Sequence, residues 1–221
     1  MNLRLITTFL ICSIEAQCLA AELTKEEIAF SGRLSLANSA WAVSPSGLEL
    51  DLGVKRNTGT NDSSPWTHLG VSKGIFWPLT LGLNFAANDS LLAHQYGGWA
   101  QYSFFQVAKF PSLAARLKYS EGYFGSTSQT KSWGSEIILS YGFGPVSFLA
   151  ARELNQTYLS IEESGERDEA NFQEPSSTNL TQQIQTYGVS LQLGYLAKFS
   201  VSKSTTGSKS STLMSQIQFE M

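Results

Sequence analysis

Along the chain, apolar and polar residues alternate one for one in short blocks. Residues 47–54 read Gly-Leu-Glu-Leu-Asp-Leu-Gly-Val, with Leu48, Leu50, Leu52 and Val54 on one side and Glu49, Asp51 and Gly53 on the other. Successive side chains of a strand point to opposite faces, so strict period two marks a strand with one apolar and one polar face. The pattern returns at Leu79, Leu81, Leu83 and Phe85 against Thr80, Gly82 and Asn84, and at Leu113, Ala115, Leu117 and Tyr119 against Ala114, Arg116 and Lys118. It is clearest where Tyr187, Val189, Leu191, Leu193 and Tyr195 alternate with Gly188, Ser190, Gln192 and Gly194. Less regular blocks at 69–75, 96–104, 133–143, 146–154, 199–203 and 213–221 bring the expected strands to about ten, in the range 8 to 12. Lys73 and Arg152 fall on otherwise apolar faces, where a long stem can carry the charge to water at a membrane boundary.

The links between these blocks alternate in length. Long polar stretches lie at 56–65, 88–92, 125–131, 160–183 and 203–210, with short ones near 76–78, 108–111, 144–145 and 196–198. This alternation predicts an all-β, transmembrane, antiparallel up-and-down β-barrel with long outer loops, tight periplasmic turns and both termini on the periplasmic side. A soluble sandwich or lipocalin-like barrel also alternates, so the chemistry of the faces has to decide. The polar faces carry Gly, Ser, Thr and Gln, small enough for a narrow lumen. The apolar faces carry Leu and Val between aromatic pairs such as Tyr119 and Tyr123, Trp133 and Tyr141, and Tyr187 and Tyr195, the layout of a lipid band with girdles.

Composition agrees with short strands. Aromatic residues are 12%, glycines number 18 and charged residues are only 15%, a mixture that disfavours helices. A net charge of -3 lacks the basic footprint of a nucleic-acid binder, so that partner class is set aside. Residues 1–20 read as a secretory leader, with Arg4 before the apolar run 5–14 and Cys18-Leu19-Ala20 where cleavage needs small residues. Ten apolar residues are too few for a helix that spans a bilayer, which takes roughly 20. Both cysteines, Cys12 and Cys18, fall in this leader, leaving the mature chain no thiol for a disulfide, metal or nucleophile. A lipid anchor at Cys18 is disfavoured by the polar Glu15-Ala16-Gln17 before it. Residues 46–221 form the expected barrel in the bacterial outer membrane. Residues 21–45 precede it: Thr24 to Glu27 reads as a capping box opening a short helix, while Ile28, Phe30, Leu34 and Leu36 can equally alternate as a strand. An extra strand would break the even count, which favours a periplasmic or lumen-entering segment.

The stretches Val71-Ser72-Lys73-Gly74, Pro111-Ser112-Leu113-Ala114-Ala115-Arg116-Leu117-Lys118-Tyr119 and Ser140-Tyr141-Gly142-Phe143-Gly144 resemble a set of uncharacterised small bacterial outer-membrane β-barrel proteins. The resemblance covers most of the barrel, rests on short motifs, and implies fold and location without an activity. Leu213, Ser215, Ile217, Phe219 and Met221 share one face to the chain end, which resembles the C-terminal signal read by the barrel assembly machinery. The departure is the terminal Met221, where that pattern carries an aromatic.

Candidate chemistry is sparse. His68 and His94 lie in strand blocks, neither in a nucleophile motif nor two residues before a serine, and read as strand histidines near the interface rather than hydrolase groups. Glu49, Asp51, Arg116, Lys118, Glu136, Glu153 and Glu220 fall on expected lumen faces. Such charges pair when buried, so they serve as a stiffening set of salt bridges or as the selectivity lining of a narrow pore. The stretch 160–183 holds Glu162, Glu163, Glu166, Asp168, Glu169 and Glu174 against Arg167, without the ligand spacing of a calcium loop. No catalytic residue, cofactor or metal is expected. The leading expectation is a structural or surface-interaction barrel that contacts outer-membrane lipids and the assembly machinery and presents Ser160 to Gln183 to extracellular partners. The runner-up is a narrow channel for small polar or ionic solutes, and a lipid-modifying membrane enzyme comes third.

Overall fold

The computed structural model describes residues 24–36, 45–58, 64–105, 111–161, 176–207 and 210–221. Ten strands follow one another: β1 (Leu48–Thr58), β2 (Pro65–Phe76), β3 (Leu79–Asn88), β4 (Ala93–Phe105), β5 (Ser112–Phe124), β6 (Ser128–Phe143), β7 (Val146–Ile161), β8 (Ser176–Leu193), β9 (Ala197–Thr206) and β10 (Ser210–Glu220). Each pairs antiparallel with its neighbours in the chain, and β1 closes on β10 from Glu49↔Glu220 to Thr58↔Ser211. The result is a closed up-and-down barrel, as the alternation predicts. Closure matters because a strand edge left open in hydrocarbon would strand backbone donors and acceptors without water.

The barrel is inside out relative to a soluble one. Leu52, Leu83, Leu117, Ile137 and Phe143 point outward and are 51%, 65%, 67%, 62% and 73% exposed. Asp51, Gln101, Arg116, Ser132, Glu136 and Thr157 point inward and are buried. A water-facing barrel does not spread this much aliphatic and aromatic surface around its whole wall.

Strand ends depart from the expected boundaries in one direction. β7 runs to Ile161, β8 starts at Ser176, β6 starts at Ser128 and β9 runs to Thr206, so each invades a stretch read as loop. In particular the expected loop Ser160 to Gln183 shrinks to the span between Ile161 and Ser176, and its acidic residues lie outside the described residues. The reason is that the outward face of these strand ends is polar, with Ser177, Asn179, Thr181 and Gln183 on β8. The inward face mixes Thr178 and Gln182 with Leu180 and Ile184, so the apolar-out alternation is lost although the ladder continues. The contrast in link length also weakens. The β5–β6 link is a tight turn at residues 125–127 with Gly125 at φ 60°, where a side chain would be strained, and the β4–β5 link is longer.

Residues 24–36 lie inside the barrel. Thr24 caps α1 (Lys25–Ser31) through the capping box: Glu27 N donates to Thr24 Oγ1 (3.2 Å) and Thr24 N donates to Glu27 Oε2 (2.8 Å). Ile28 packs with Trp66, Leu91, Ala93, Phe124 and Leu159, which lie at or close to the strand ends that carry the β1–β2, β3–β4, β5–β6 and β7–β8 links. Leu34 and Leu36 pack on Trp99, halfway along β4. The chain therefore climbs backwards from mid-barrel at Leu36 to the loop end at Thr24. Lys25 and Glu26 are exposed at that mouth, whereas Leu48 and Glu220 mark the opposite end. Residues 24–36 thus lie along the lumen with Thr24 at the loop end and Leu36 nearer the end where β1 begins.

Candidate functional site inside the barrel

Ten strands enclose more volume than inward side chains alone can fill, since about eight strands leave an interior just filled by side chains. On the loop half the wall contributes small groups, Ser120, Gly122, Thr130 and Ser132, and the space they leave is taken by the 24–36 segment. Gly32 sits where any Cβ would strike the Thr130 side chain. Its carbonyl accepts from Gln95 Nε2 (2.6 Å) and Ser120 Oγ (3.0 Å). Lys55 Nζ donates to the Ser31 carbonyl (3.0 Å), Asn57 Nδ2 donates to Ser31 Oγ (2.7 Å), and Gln182 Nε2 donates to the Glu26 carbonyl (3.4 Å). Three strands (β1, β4 and β5) thus satisfy the buried carbonyls and hydroxyl at the helix end, and β8 adds a bond to the exposed first turn.

Beneath lies the charged layer. Glu136 Oε2 takes Arg116 Nη1 at 3.2 Å and Lys118 Nζ at 3.4 Å. Glu153 Oε2 takes Lys118 Nζ at 2.7 Å and Arg33 Nη1 at 3.4 Å. Cross-strand register explains the set, because Arg116↔Glu136↔Glu153 is one row across β5, β6 and β7 on the inner face. Arg116 also donates to Gln101 Oε1 through Nε (3.0 Å) and Nη2 (2.5 Å) and stacks 5.0 Å above Trp99. Trp99 Nε1 donates to Asn84 Oδ1 (2.9 Å), and Asn84 Nδ2 meets His68 Nε2 at 2.7 Å. Buried ions held this way are costly to assemble and costlier to break singly.

Of the seven residues expected to charge the lumen, Arg116, Lys118, Glu136 and Glu153 come together in this layer and Asp51 is buried on the inner face of β1. Glu49 is half-buried beside Ser72, whose Oγ donates to Glu49 Oε2 (3.4 Å), and Glu220 stands exposed on the rim where β10 ends. His68, expected near the interface, is instead buried in the lumen, because its strand position shares the inward face with Trp66 and Gly70. His94 does face outward and stacks on Tyr123 with ring centroids 5.0 Å apart. Two members were missed. Lys55 continues the Glu49, Asp51, Gly53 alternation and was legible from it. Arg33 gave no signal, since nothing local places it against a carboxylate 120 residues away.

Wall and contents fit closely enough to be tested. A Cβ on Gly82 would meet the Trp99 indole, with Nε1 2.5 Å away. Gly82→Val is expected to lower unfolding stability by about 1–3 kcal/mol through overpacking, read as a lower urea midpoint in micelles. An unchanged midpoint would show that the indole moves aside freely.

No family model matches the chain, and no curated protein matches it in sequence. Solved structures share its architecture. The outer membrane protease OmpT from Escherichia coli aligns at TM-score 0.50 and 8% identity, over 83% of this chain and 100% of that one. The KdgM porin aligns at 0.44 and 8%, over 77% and 98%. The N-terminal barrel domain of Pseudomonas aeruginosa OprF aligns at 0.37 and 8%, over 79% and 97%. The likeness is one of fold, and these neighbours are bacterial outer-membrane barrels, a porin and a protease among them.

Proposed function

We propose that this protein is an integral outer-membrane barrel whose lumen is closed by its own N-terminal segment, and that it acts as a structural or surface-interaction protein rather than as an open pore or an enzyme. The observation that supports this most is the placement of Ile28, Phe30, Arg33, Leu34 and Leu36, all buried within the barrel. Below them, Arg116, Lys118, Glu136 and Glu153 cross the same space, and Ala114, Ile138, Leu149 and Ala151 form an apolar floor. In this arrangement the lumen charges pair with one another instead of lining a water path. The links of the loop end face the cell exterior, and the outward Leu, Val and aromatic belt contacts the membrane lipids.

A hydrolase would need a histidine bonded to a nucleophile and oriented by a third group. Among the described residues, His68 bonds to Asn84 and His94 stacks on Tyr123, and neither hydrogen-bonds to a hydroxyl or a carboxylate. This favours a non-catalytic role.

The test is planar-bilayer recording of the folded mature chain. No steady ionic conductance is expected from the wild type, whereas Arg33→Ala with Lys55→Ala, which cuts two anchors of the segment, should give intermittent openings. A steady current from the wild type would replace the closed barrel by the narrow channel.

A further inference from the structure

The outward belt is not uniform. On β6 its outward positions run Trp133, Ser135, Ile137, Leu139, Tyr141 and Phe143, a band of roughly 25 Å at a rise of about 3.3 Å per residue and a tilt near 40°. On β8 the apolar positions are only Tyr187, Val189, Leu191 and Leu193, with Gln185, Gln183 and Thr181 following. On β9 the apolar run ends at Val201 and Lys203 comes next. Arg152 on β7 stands directly across from Ile137, the middle of the β6 band. The barrel thus turns a polar, cationic notch toward lipid at a depth where its neighbour is still aliphatic.

Just on the turn side of that notch the wall is hollow. Ala150 is small while Phe148, Tyr187 and Leu139 stand around it, and with Val201 and Leu213 they line an almost wholly apolar groove of about 620 Å³. Lys203 lines its upper edge beside Tyr187, and Arg152 lies two residues above Ala150 on the same outward face. Arg152 Nη2 donates to Gln183 Oε1 (3.0 Å), and among the described residues neither cation has a carboxylate partner. A cation facing hydrocarbon at mid-depth is unfavourable, and an anion beside it lowers that cost. The volume falls within the range of about 300–1,000 Å³ typical of ligand sites.

From the groove and the two cations above it we infer a binding site for one anionic phospholipid, its headgroup drawn to Arg152 and Lys203 and an acyl chain along Ala150, Val189 and Val201. The inference rests on the outer-membrane reading. Charge complementarity selects this occupant over a zwitterionic lipid, and a continuous groove beneath the charges selects a lipid over free phosphate.

The mature chain is folded in zwitterionic micelles, where a heat-modifiable band on a gel checks the barrel itself. Phosphatidylglycerol, phosphatidylcholine or inorganic phosphate is then titrated and bound molecules are counted by native mass spectrometry. One phosphatidylglycerol is expected to remain bound at least about tenfold more tightly than phosphatidylcholine. Arg152→Gln with Lys203→Gln should erase that preference, Arg152→Lys with Lys203→Arg should keep it, and Ala150→Phe, which fills the groove with both charges intact, should weaken retention. Inorganic phosphate should not compete. Equal retention by the wild type and the double glutamine variant, competition by inorganic phosphate, or a lipid-free dimer that Ala150→Phe dissociates would each overturn the site while leaving the folded barrel in place.

Discussion

A cysteine placed at Lys25 is expected to react with a membrane-impermeant maleimide on intact cells. One at Ser126 in the β5–β6 turn should react likewise, and one at Tyr195 in the β8–β9 turn only after the outer membrane is permeabilised. The prediction follows from the direction of the lumen segment. Ile28 packs among residues at the loop end and Leu36 reaches only mid-barrel, so Lys25 opens at the same mouth as Ser126 and opposite Tyr195. The native cysteines, Cys12 and Cys18, lie in the expected leader and are replaced by serine if it is retained. The effect is all or none, since the reagent does not cross the membrane. Labelling of Lys25→Cys only after permeabilisation would mean that the segment enters from the other end, and the closed barrel would then display nothing of its N-terminal side outside.

The second large effect is expected at Glu153. Removing one partner of a buried ion pair leaves the other charge stranded and costs about 3–5 kcal/mol. Glu153 answers both Arg33 and Lys118, so Glu153→Gln takes the bridged set from three cations and two carboxylates to three and one. Its urea midpoint in micelles should fall by that free energy. Arg33→Met combined with Glu153→Gln should regain more than half of the loss, because Lys118 keeps Glu136 at 3.4 Å and the stranded guanidinium is gone. Equal stability of wild type and Glu153→Gln would show the layer to be hydrated and weak. The same experiment bears on the segment, since Arg33 is its bridge to the wall of β7.

What the chain fixed by itself was the wall. Period two in short blocks such as 47–54 is a local property of residues i and i+2, and the inward position of Glu49, Asp51, Arg116 and Lys118 follows from it without any knowledge of the partner strand. The capping box at Thr24 was legible for the same reason, being complete within four residues. Where the outward face turns polar, as at Ser177 to Gln183, the signal is lost although the ladder is not, and the strand ends fall outside the expected blocks. Only the closed barrel decided the rest. Whether residues 24–36 hang outside or fill the lumen depends on the volume ten strands enclose and on the small groups, Ser120 and Thr130, that line it. The meeting of Arg33 with Glu153, that of His68 with Asn84, and the placement of Arg152 on β7 and Lys203 on β9 on the same outer face are set by barrel closure and strand order, which join residues far apart in sequence and leave no mark on any local pattern.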